Sequence, residues 1–140
     1  MLRQCQRELE FRTRTRGFQD ITAEVAGALR QSGLQTGLVT LQILHTSASL
    51  LIQENADPDV RHDLERFFSR LIPDGDRIFS HTLEGPDDMP AHIRTVLTAV
   101  NLSVPFHAGR LRLGTWQGIY LWEHRTAPHR RVVCLHFVGE

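Results

Sequence analysis

The sequence contains no lysine, and this absence excludes two kinds of chemistry. All sixteen basic residues are arginine, so neither Schiff-base catalysis nor a lysine-dependent phosphate loop is available. The GxSxG, GxGxxG and HExxH patterns of common hydrolases, nucleotide-binding proteins and zinc proteases are also missing. Any catalysis therefore has to use other groups.

Net charge, long apolar runs and paired cysteines are missing as well. Sixteen acidic residues balance the sixteen basic ones, which leaves no net field to attract nucleic acid or an anionic membrane. No apolar stretch approaches the roughly 18–20 residues that cross a bilayer, and the opening MLRQCQRELEF lacks the apolar segment of a signal peptide. Cys5 and Cys134 have no CxxC spacing. We therefore expect a cytoplasmic protein with two thiols that binds neither nucleic acid nor membrane.

The hydrophobic pattern predicts a single domain over residues 1–140 that contains both strands and helices. Alternation from Gln6 to Arg16 predicts a first strand, and the apolar run from Gly37 to Ile52 predicts a strand buried on both faces. Further strands are expected as a short pair about His107-Ala108-Gly109, then over Thr115 to His124 and Arg131 to Val138, the last two joined by Arg125 to Pro128.

Three helices are predicted between these strands. The first begins at Asp20 and ends at Gly33, the second is capped by Asp57 and has Pro58 in its first turn, and the third begins near Asp88. The apolar residues expected on the buried faces of the second and third helices are Val60, Leu64, Phe67, Phe68, Leu71, Ile93, Val96, Leu97 and Val100. The order of elements indicates an α+β fold, with helices packed on a mixed, largely antiparallel sheet.

The segment HTSASLLIQENADPDVRHD, residues 45–63, is the richest in polar and ionisable groups. Glu54, Asn55 and Asp57 place oxygen donors within four positions, and such donors can hold Mg²⁺ or act as acid and base. A structural role is the alternative, since Asp57 and Asp59 suit a helix cap and the helix dipole. We favour the structural role for these two aspartates and a functional role for Glu54 and Asn55.

Histidine is the unusual component, with eight residues. His45 ends an apolar run and so begins on a rigid strand, while His81 and His92 flank the start of the third helix, with Glu84 between them. Three imidazoles with a carboxylate suit Zn²⁺ or a similar ion, and equally a cradle for phosphate. Asp88, one turn before His92, is expected to bind the ring nitrogen that faces away from a ligand. The other histidines, His62, His107, His124, His129 and His136, are assigned to solvated helix or turn positions and to a strand.

A third candidate region runs from Leu113 to Ile119, where two glycines flank Thr, Trp and Gln. Glycine permits close approach of a ligand to the backbone. Gln117 can bind an amide or phosphate edge, and Trp116 can stack on a ring. A bulge with a core tryptophan explains the same residues equally well, and both interpretations stay open.

Four motifs in order resemble the YjbQ family over essentially the whole chain. They are HTSASL with QENADPDVRHDL, HTLEGPDDMPAHI, GRLRLGTWQGIYLWEHR, and the closing RRVVCLHFVGE. This uncharacterised protein family is now usually named secondary thiamine-phosphate synthase, and the resemblance implies its α+β fold and a homotrimer. Many relatives have Thr and Asn where this chain has Leu51 and Gln53, which implies a more apolar wall of the site here.

The resemblance also implies a set of site residues. The family's recurrent polar positions fall on His45, Glu54, Asn55, Asp57, Asp63, His81, Glu84, His92, Gly114 and Gln117. The expected metal ligands are His45, His81 and His92, for a divalent ion such as Zn²⁺ or Mg²⁺. The expected catalytic residues are Glu54, Asn55, Asp57, Asp63, Glu84 and Gln117.

The family name implies a transferase that joins a hydroxymethylpyrimidine diphosphate to a thiazole phosphate and releases pyrophosphate. Such a step needs a cation and positive side chains on the leaving group. One hypothesis has Glu54 and Asp57 hold Mg²⁺ while the three histidines and an arginine such as Arg94 contact the phosphorylated substrate. The word "secondary" implies that the activity can be a side reaction. A trimeric protein that only binds a metal ion or metabolite is the alternative.

Overall fold

Eight strands and three helices make up the fold in the computed structural model, which describes residues 1–140. The strands are β1 (Arg3–Arg12), β2 (Gly17–Asp20), β3 (Gly37–Ile43), β4 (Ala48–Glu54), β5 (Asn101–His107), β6 (Arg110–Leu111), β7 (Gln117–Glu123) and β8 (Arg130–Gly139). The helices are α1 (Thr22–Ser32), α2 (Pro58–Leu71) and α3 (Asp88–Leu97). The predicted order of helices and strands is confirmed.

The strands are divided between two antiparallel sheets. Five strands follow the order β1-β8-β3-β5-β6, and three follow the order β2-β7-β4. Every pairing is antiparallel. One core of 18 buried apolar residues takes side chains from both sheets and from α1, so the single-domain α+β class is confirmed.

Sequence reasoning missed three of the connections that cross from one sheet to the other. The predicted strand from Gly37 to Ile52 is two strands, because the chain leaves the five-stranded sheet after β3 and enters the three-stranded sheet at β4. The predicted first strand is likewise divided into β1 and β2, and the last two strands, β7 and β8, also belong to different sheets. Apolar periodicity marks what is buried and carries no information on which sheet a strand joins.

A buried polar cluster lies where these three connections pass each other. Arg131 donates to both carboxylate oxygens of Glu123, at the end of β7, and to the hydroxyl of Ser47, just before β4. Thr13, just after β1, donates its hydroxyl to Glu123 Oε1 at 2.6 Å. All four side chains are buried. Burial alone would raise the pKa of Glu123, but hydrogen bonds from Arg131 and Thr13 outweigh it and lower that pKa.

The second and third helices form where predicted, but α2 is less buried than predicted and α3 buries a different face. Asp57 caps α2 by accepting from Asp59 N at 2.9 Å, as predicted. No residue of α2 is fully buried, because this helix lies on the outside and contacts the sheet mainly through Phe68 against Trp122. None of the three helices is long and apolar enough to cross a membrane.

Helix α3 turns an arginine inward in place of the predicted valine. Arg94 is completely buried and donates to Glu65 Oε1 at 2.6 Å and to Ser69. Val96, predicted to be buried, is 81% exposed. The ion pair with α2 therefore decides the orientation of α3, and the hypothesis that Arg94 contacts a phosphate is wrong because its guanidinium does not reach the surface.

The buried pair predicts that two glutamates, each paired with one of two neighbouring arginines, contribute very differently to the free energy of unfolding. We expect Glu123→Gln to lower the free energy of unfolding by about 3–5 kcal/mol, because it leaves the buried charge of Arg131 without its partner. Glu10→Gln removes an exposed pair with Arg130 and should cost far less. Urea unfolding followed by circular dichroism gives both values, and similar small losses in the two variants would contradict the assigned role.

Candidate metal centre

Two imidazoles and two carboxylates converge where the chain enters α3. The ligand atoms of His81, Glu84, Asp88 and His92 all lie within 4.8 Å of one another. Asp88 Oδ2 is the centre of the group, at 2.6 Å from His81 Nε2 and 3.1 Å from His92 Nε2. Asp88 and His92 are one helical turn apart, while His81 and Glu84 come from the preceding turn. No other group of three or more such residues in the chain converges in this way.

The ring of His92 is fixed by a backbone carbonyl. Its Nδ1 lies 3.0 Å from the carbonyl oxygen of Thr46, and a carbonyl oxygen only accepts, so Nδ1 carries the proton. In the neutral ring, Nε2 then has a lone pair, and this atom faces the carboxylate of Asp88. Two lone pairs at that distance repel unless a proton or a cation lies between them. This is the arrangement in which histidine binds metals, with the second nitrogen held by an outer partner.

Asp88 is buried and held in the ionised form. Its side chain is only 3% exposed, and Arg125 Nη1 contacts Oδ1 at 2.9 Å, which leaves Oδ2 for the two imidazoles. Burial alone would raise the pKa of Asp88, but the hydrogen bond from His81 and the nearby charge of Arg125 lower it. A fixed carboxylate therefore faces the two rings.

Asp87 anchors the same arginine from the other side. Its Oδ2 accepts from Arg125 Nε at 2.9 Å and from Thr126 N at 2.9 Å. Burial opposes ionisation, yet the hydrogen bonds from Thr126 and Arg125 lower the pKa of Asp87 to about 2. The Asp87 side chain does not cap α3, since it is committed to these partners. Arg125 also donates to the carbonyl of Glu84 at 2.8 Å and so ties both ends of the site together.

The donor set fits a tetrahedral transition-metal ion. Ligand atoms at the 2.0–2.1 Å typical of zinc lie about 3.3 Å apart. The spacings from Asp88 are 2.6 and 3.1 Å, and the four ligand atoms lie within 4.8 Å of one another, so the side chains have to rearrange to bind an ion. The carboxylate of Glu84 lies 3.7 Å from His81 Nε2 and is close enough to become a fourth ligand. Two nitrogen and two oxygen donors suit Zn²⁺ better than Mg²⁺.

His45 lies outside this group. Its Nε2 accepts a hydrogen bond from Val132 N at 2.8 Å, so the lone pair that a metal would need is already used. Burial, and then the charge of Arg131, lower the pKa of His45. The ring nevertheless borders the same cavity as His92. In this arrangement His45 therefore has no free nitrogen lone pair with which to act as the predicted metal ligand.

The acidic turn after β4 is closed by its own hydrogen bonds. Glu54 Oε2 accepts from Asp57 N at 2.9 Å, and Asp57 in turn caps α2. Asn55 N donates to the carbonyl of Trp116 at 2.9 Å. Asp63 is exposed on α2. The four side chains do not join the group around Asp88, and the catalytic role that we expect for them stays a prediction.

The glycine-flanked segment forms a turn with an exposed tryptophan. Gln117 Oε1 accepts from Gly114 N at 2.8 Å and so closes the turn that precedes β7. Trp116 is 62% exposed, which removes the interpretation as a core residue and leaves its ring free to stack. Gln117 pairs with Glu54 across β4 and β7, so this turn and the acidic turn are neighbours.

Sequence reasoning missed four features of the site. Asp88 was expected to hold the outer nitrogen of His92, whereas Thr46 takes that position and Asp88 faces Nε2. Asp87 and Arg125 were not singled out at all. The two consecutive aspartates before a proline were a usable signal, because a helix needs only one cap. The assignment of His124 to a solvated position is wrong. Its ring is buried, with Nε2 at 2.8 Å from the hydroxyl oxygen of Ser49, and burial lowers its pKa to about 2.

The sequence matches known proteins over nearly its full length. The family model for UPF0047 protein YjbQ-like proteins matches residues 7–140. A UPF0047 protein of Synechocystis is 49% identical over 138 residues, which cover 99% of this chain and 94% of the relative. The chain belongs to the YjbQ family. YjbQ of Escherichia coli O157:H7 is 43% identical, covering 96% of this chain and 98% of its own.

Solved structures of YjbQ-like proteins share the fold. A conserved hypothetical protein from Thermus thermophilus is 40% identical and has a TM-score of 0.82, covering 91% of this chain and 96% of its own. A YbjQ-like protein of unknown function from Sulfolobus solfataricus covers all of both chains with a TM-score of 0.89. At 20% identity, the latter likeness shows the fold alone.

The Asp87–Arg125 pair predicts how stability depends on acid. The folded pKa of about 2 lies below the ordinary value of 3.8, so ionised Asp87 favours folding above pH 4, and this contribution disappears as the pH falls towards 2. We expect Arg125→Gln to return this pKa towards its ordinary value and to move acid unfolding to higher pH. Carboxyl ¹³C titration by NMR and unfolding at several pH values check it. Arg110→Gln, at an exposed arginine of β6, is the control, and an equal change in both variants would contradict the assignment.

Proposed function

We propose that this YjbQ-family protein binds a divalent metal ion between His81, Asp88 and His92. The observation that carries the proposal is the arrangement of His92, whose Nδ1–H is held by Thr46 while Nε2 faces a buried carboxylate. A cation between them converts a repulsion into two coordinate bonds. Of the ions that we considered, Zn²⁺ or a similar borderline ion is favoured over Mg²⁺ because Mg²⁺ prefers oxygen ligands and water.

An accessible site supports catalysis more than a purely structural role. His81 is 49% and Glu84 63% exposed at their side chains, so solvent reaches the metal position from one side. A cavity of about 540 Å³ borders His92, and another of about 300 Å³ borders His81. Structural zinc sites are closed by four protein ligands, whereas catalytic ones keep a position for water or substrate.

The activity that we propose for this centre is the thiamine-phosphate synthase-like transfer that the family resemblance implies, on a phosphorylated small molecule. A bound divalent ion would supply positive charge where pyrophosphate leaves. The chain's own part is to hold Asp88 in place through Arg125, to fix the His92 ring through Thr46, and to keep Glu84 within reach of a proton or a ligand. Binding of a metal ion or metabolite without physiological catalysis is the alternative.

We also propose a homotrimer in the cytoplasm. Ile78, Leu83 and Val96 are all at least 80% exposed, and their burial at a subunit interface would remove this apolar surface from water. Both cysteines are free thiols, as expected in a reducing compartment.

The affinity for a metal ion should fall when His81 is replaced and stay the same when His107, outside the site, is replaced. We expect His81→Ala to weaken Zn²⁺ binding by more than about 100-fold, because loss of an outer partner alone typically costs 10–100-fold. His107→Ala, at the exposed β5–β6 turn, should leave the affinity unchanged. Competition with a chromophoric chelator measures both. A wild-type protein that binds no Zn²⁺ would remove the metal proposal.

The transferase proposal has its own test in cells. Expression of the wild type and of His107→Ala should restore growth of a thiamine-auxotrophic strain that lacks thiamine-phosphate synthase, and His81→Ala should not. Growth is scored without thiamine, with expression levels compared by immunoblot. If the wild type fails to restore growth, the synthase activity is excluded, while metal binding in vitro still decides the first proposal.

Sedimentation equilibrium tests the trimer directly. We expect a mass three times that of the chain at micromolar concentration. Val96→Glu places a charge on one of the most exposed apolar positions and should lower the oligomer mass if α3 lies in the interface. A monomeric wild type would exclude the homotrimer.

A further inference from the structure

His45 lies where the chain passes from β3 to β4, and the backbone fixes which of its nitrogens carries the proton. Val132 N donates to Nε2 at 2.8 Å. An amide N–H can only donate, so Nε2 is the acceptor and the proton of the neutral ring resides on Nδ1. That N–H has no hydrogen-bond partner within the chain. It is also not enclosed, since the ring is only half-buried.

The same ring borders a cavity that is also lined by His92, one of the proposed metal ligands. The cavity has a volume of about 540 Å³, and His45, Thr46 and His92 lie along it. Its apolar lining comes from Ile43, Leu44, Val96 and Val100. Few polar groups in an otherwise apolar cavity fix the orientation of a ligand. His45 is one of these groups. The next residue, Thr46, carries the carbonyl that holds His92.

We propose that His45 is a ligand-binding residue, which donates its Nδ1–H to an oxyanion of a small molecule bound at the metal centre, and is not a metal ligand. This inference rests on the proposed function, because it assumes a metal ion at His81, Asp88 and His92. One part of the ligand coordinates the ion, and another oxygen accepts from His45. Inorganic phosphate is the simplest molecule that has one oxygen to coordinate the ion and another to accept the hydrogen bond from His45.

The surroundings of His45 suit a neutral donor. Burial and the charge of Arg131 both lower its pKa, while the carboxylate of Glu123 has the opposite, smaller effect. Arg131 is already paired with Glu123, so it contributes positive potential without occupying the cavity. A neutral ring with one fixed N–H binds an oxygen without changing its tautomer, and this makes the direction of the hydrogen bond unambiguous.

The test uses the full chain loaded with Co²⁺, whose visible absorption reports on its ligands. Phosphate is titrated into wild type, His45→Phe and His107→Phe, and the change in the cobalt bands gives the affinity. We expect His45→Phe to bind Co²⁺ within about twofold of wild type and phosphate about 10- to 100-fold more weakly, as for loss of a hydrogen bond to a charged group. His107→Phe should match the wild type in both.

Each other outcome has a definite meaning. Loss of Co²⁺ binding in a folded His45→Phe protein would make His45 a ligand and overturn the inference, while the metal proposal would stand. Unchanged phosphate affinity, or no phosphate effect in the wild type, would also overturn it. Absence of cobalt bands in the wild type would remove the proposed function itself.

A measurement on the wild type alone covers the case in which His45→Phe does not fold. Long-range ¹H–¹⁵N NMR of the zinc-loaded protein should show His45 protonated at Nδ1 and unprotonated at Nε2. Phosphate should shift the Nδ1 resonance and leave that of His107 in place. Protonation at Nε2, or a His45 ring that does not respond to phosphate, would contradict the proposal.

Discussion

The ion pair between Glu123 and Arg131 is the interaction on which the rest of the structure depends. It is buried at the point where three connections cross between the two sheets, and it binds Thr13 and Ser47 from two of them. A buried ion pair gives little net stability compared with apolar residues of the same volume, but removing one partner is costly. We infer that its effect here is on specificity, because the observed arrangement of the crossing chains satisfies all four side chains.

The candidate metal centre takes its outer partners from two of those same crossings. Thr46 precedes Ser47 between β3 and β4, and its carbonyl holds His92. Arg125 follows Glu123 by two residues and binds both Asp87 and Asp88. Helix α3 carries Asp88 and His92, but their geometry is set by residues that lie elsewhere in the sequence. The geometry of the site therefore depends more on the connections between the two sheets than on helix α3.

The sequence predicted local features well and long-range ones poorly. The cap at Asp57 and the starts of α2 and α3 are encoded within a few residues and are confirmed. The acidic and imidazole groups expected near α3 also lie together in the structure. The sheet crossings depend on contacts such as Ser47 with Arg131, which are 84 positions apart. The buried face of α3 depended on Arg94 finding Glu65, and charge alone made that arginine look like a surface residue. His45 was placed correctly beside the site, yet its bond to Val132 N could not be read from spacing.

Under the proposed function, the way the site is held separates metal binding from folding. In small zinc domains the ligands come together only when the ion binds, so that binding energy is folding energy. Here Arg125 holds Asp88, and Thr46 holds His92, through hydrogen bonds that need no ion. One core of 18 buried apolar residues supports both sheets. If the site binds an ion as we propose, a pair of ligands held in place in this way would lose little entropy on binding, and the exposure of His81 and Glu84 would leave the ion accessible to a second molecule.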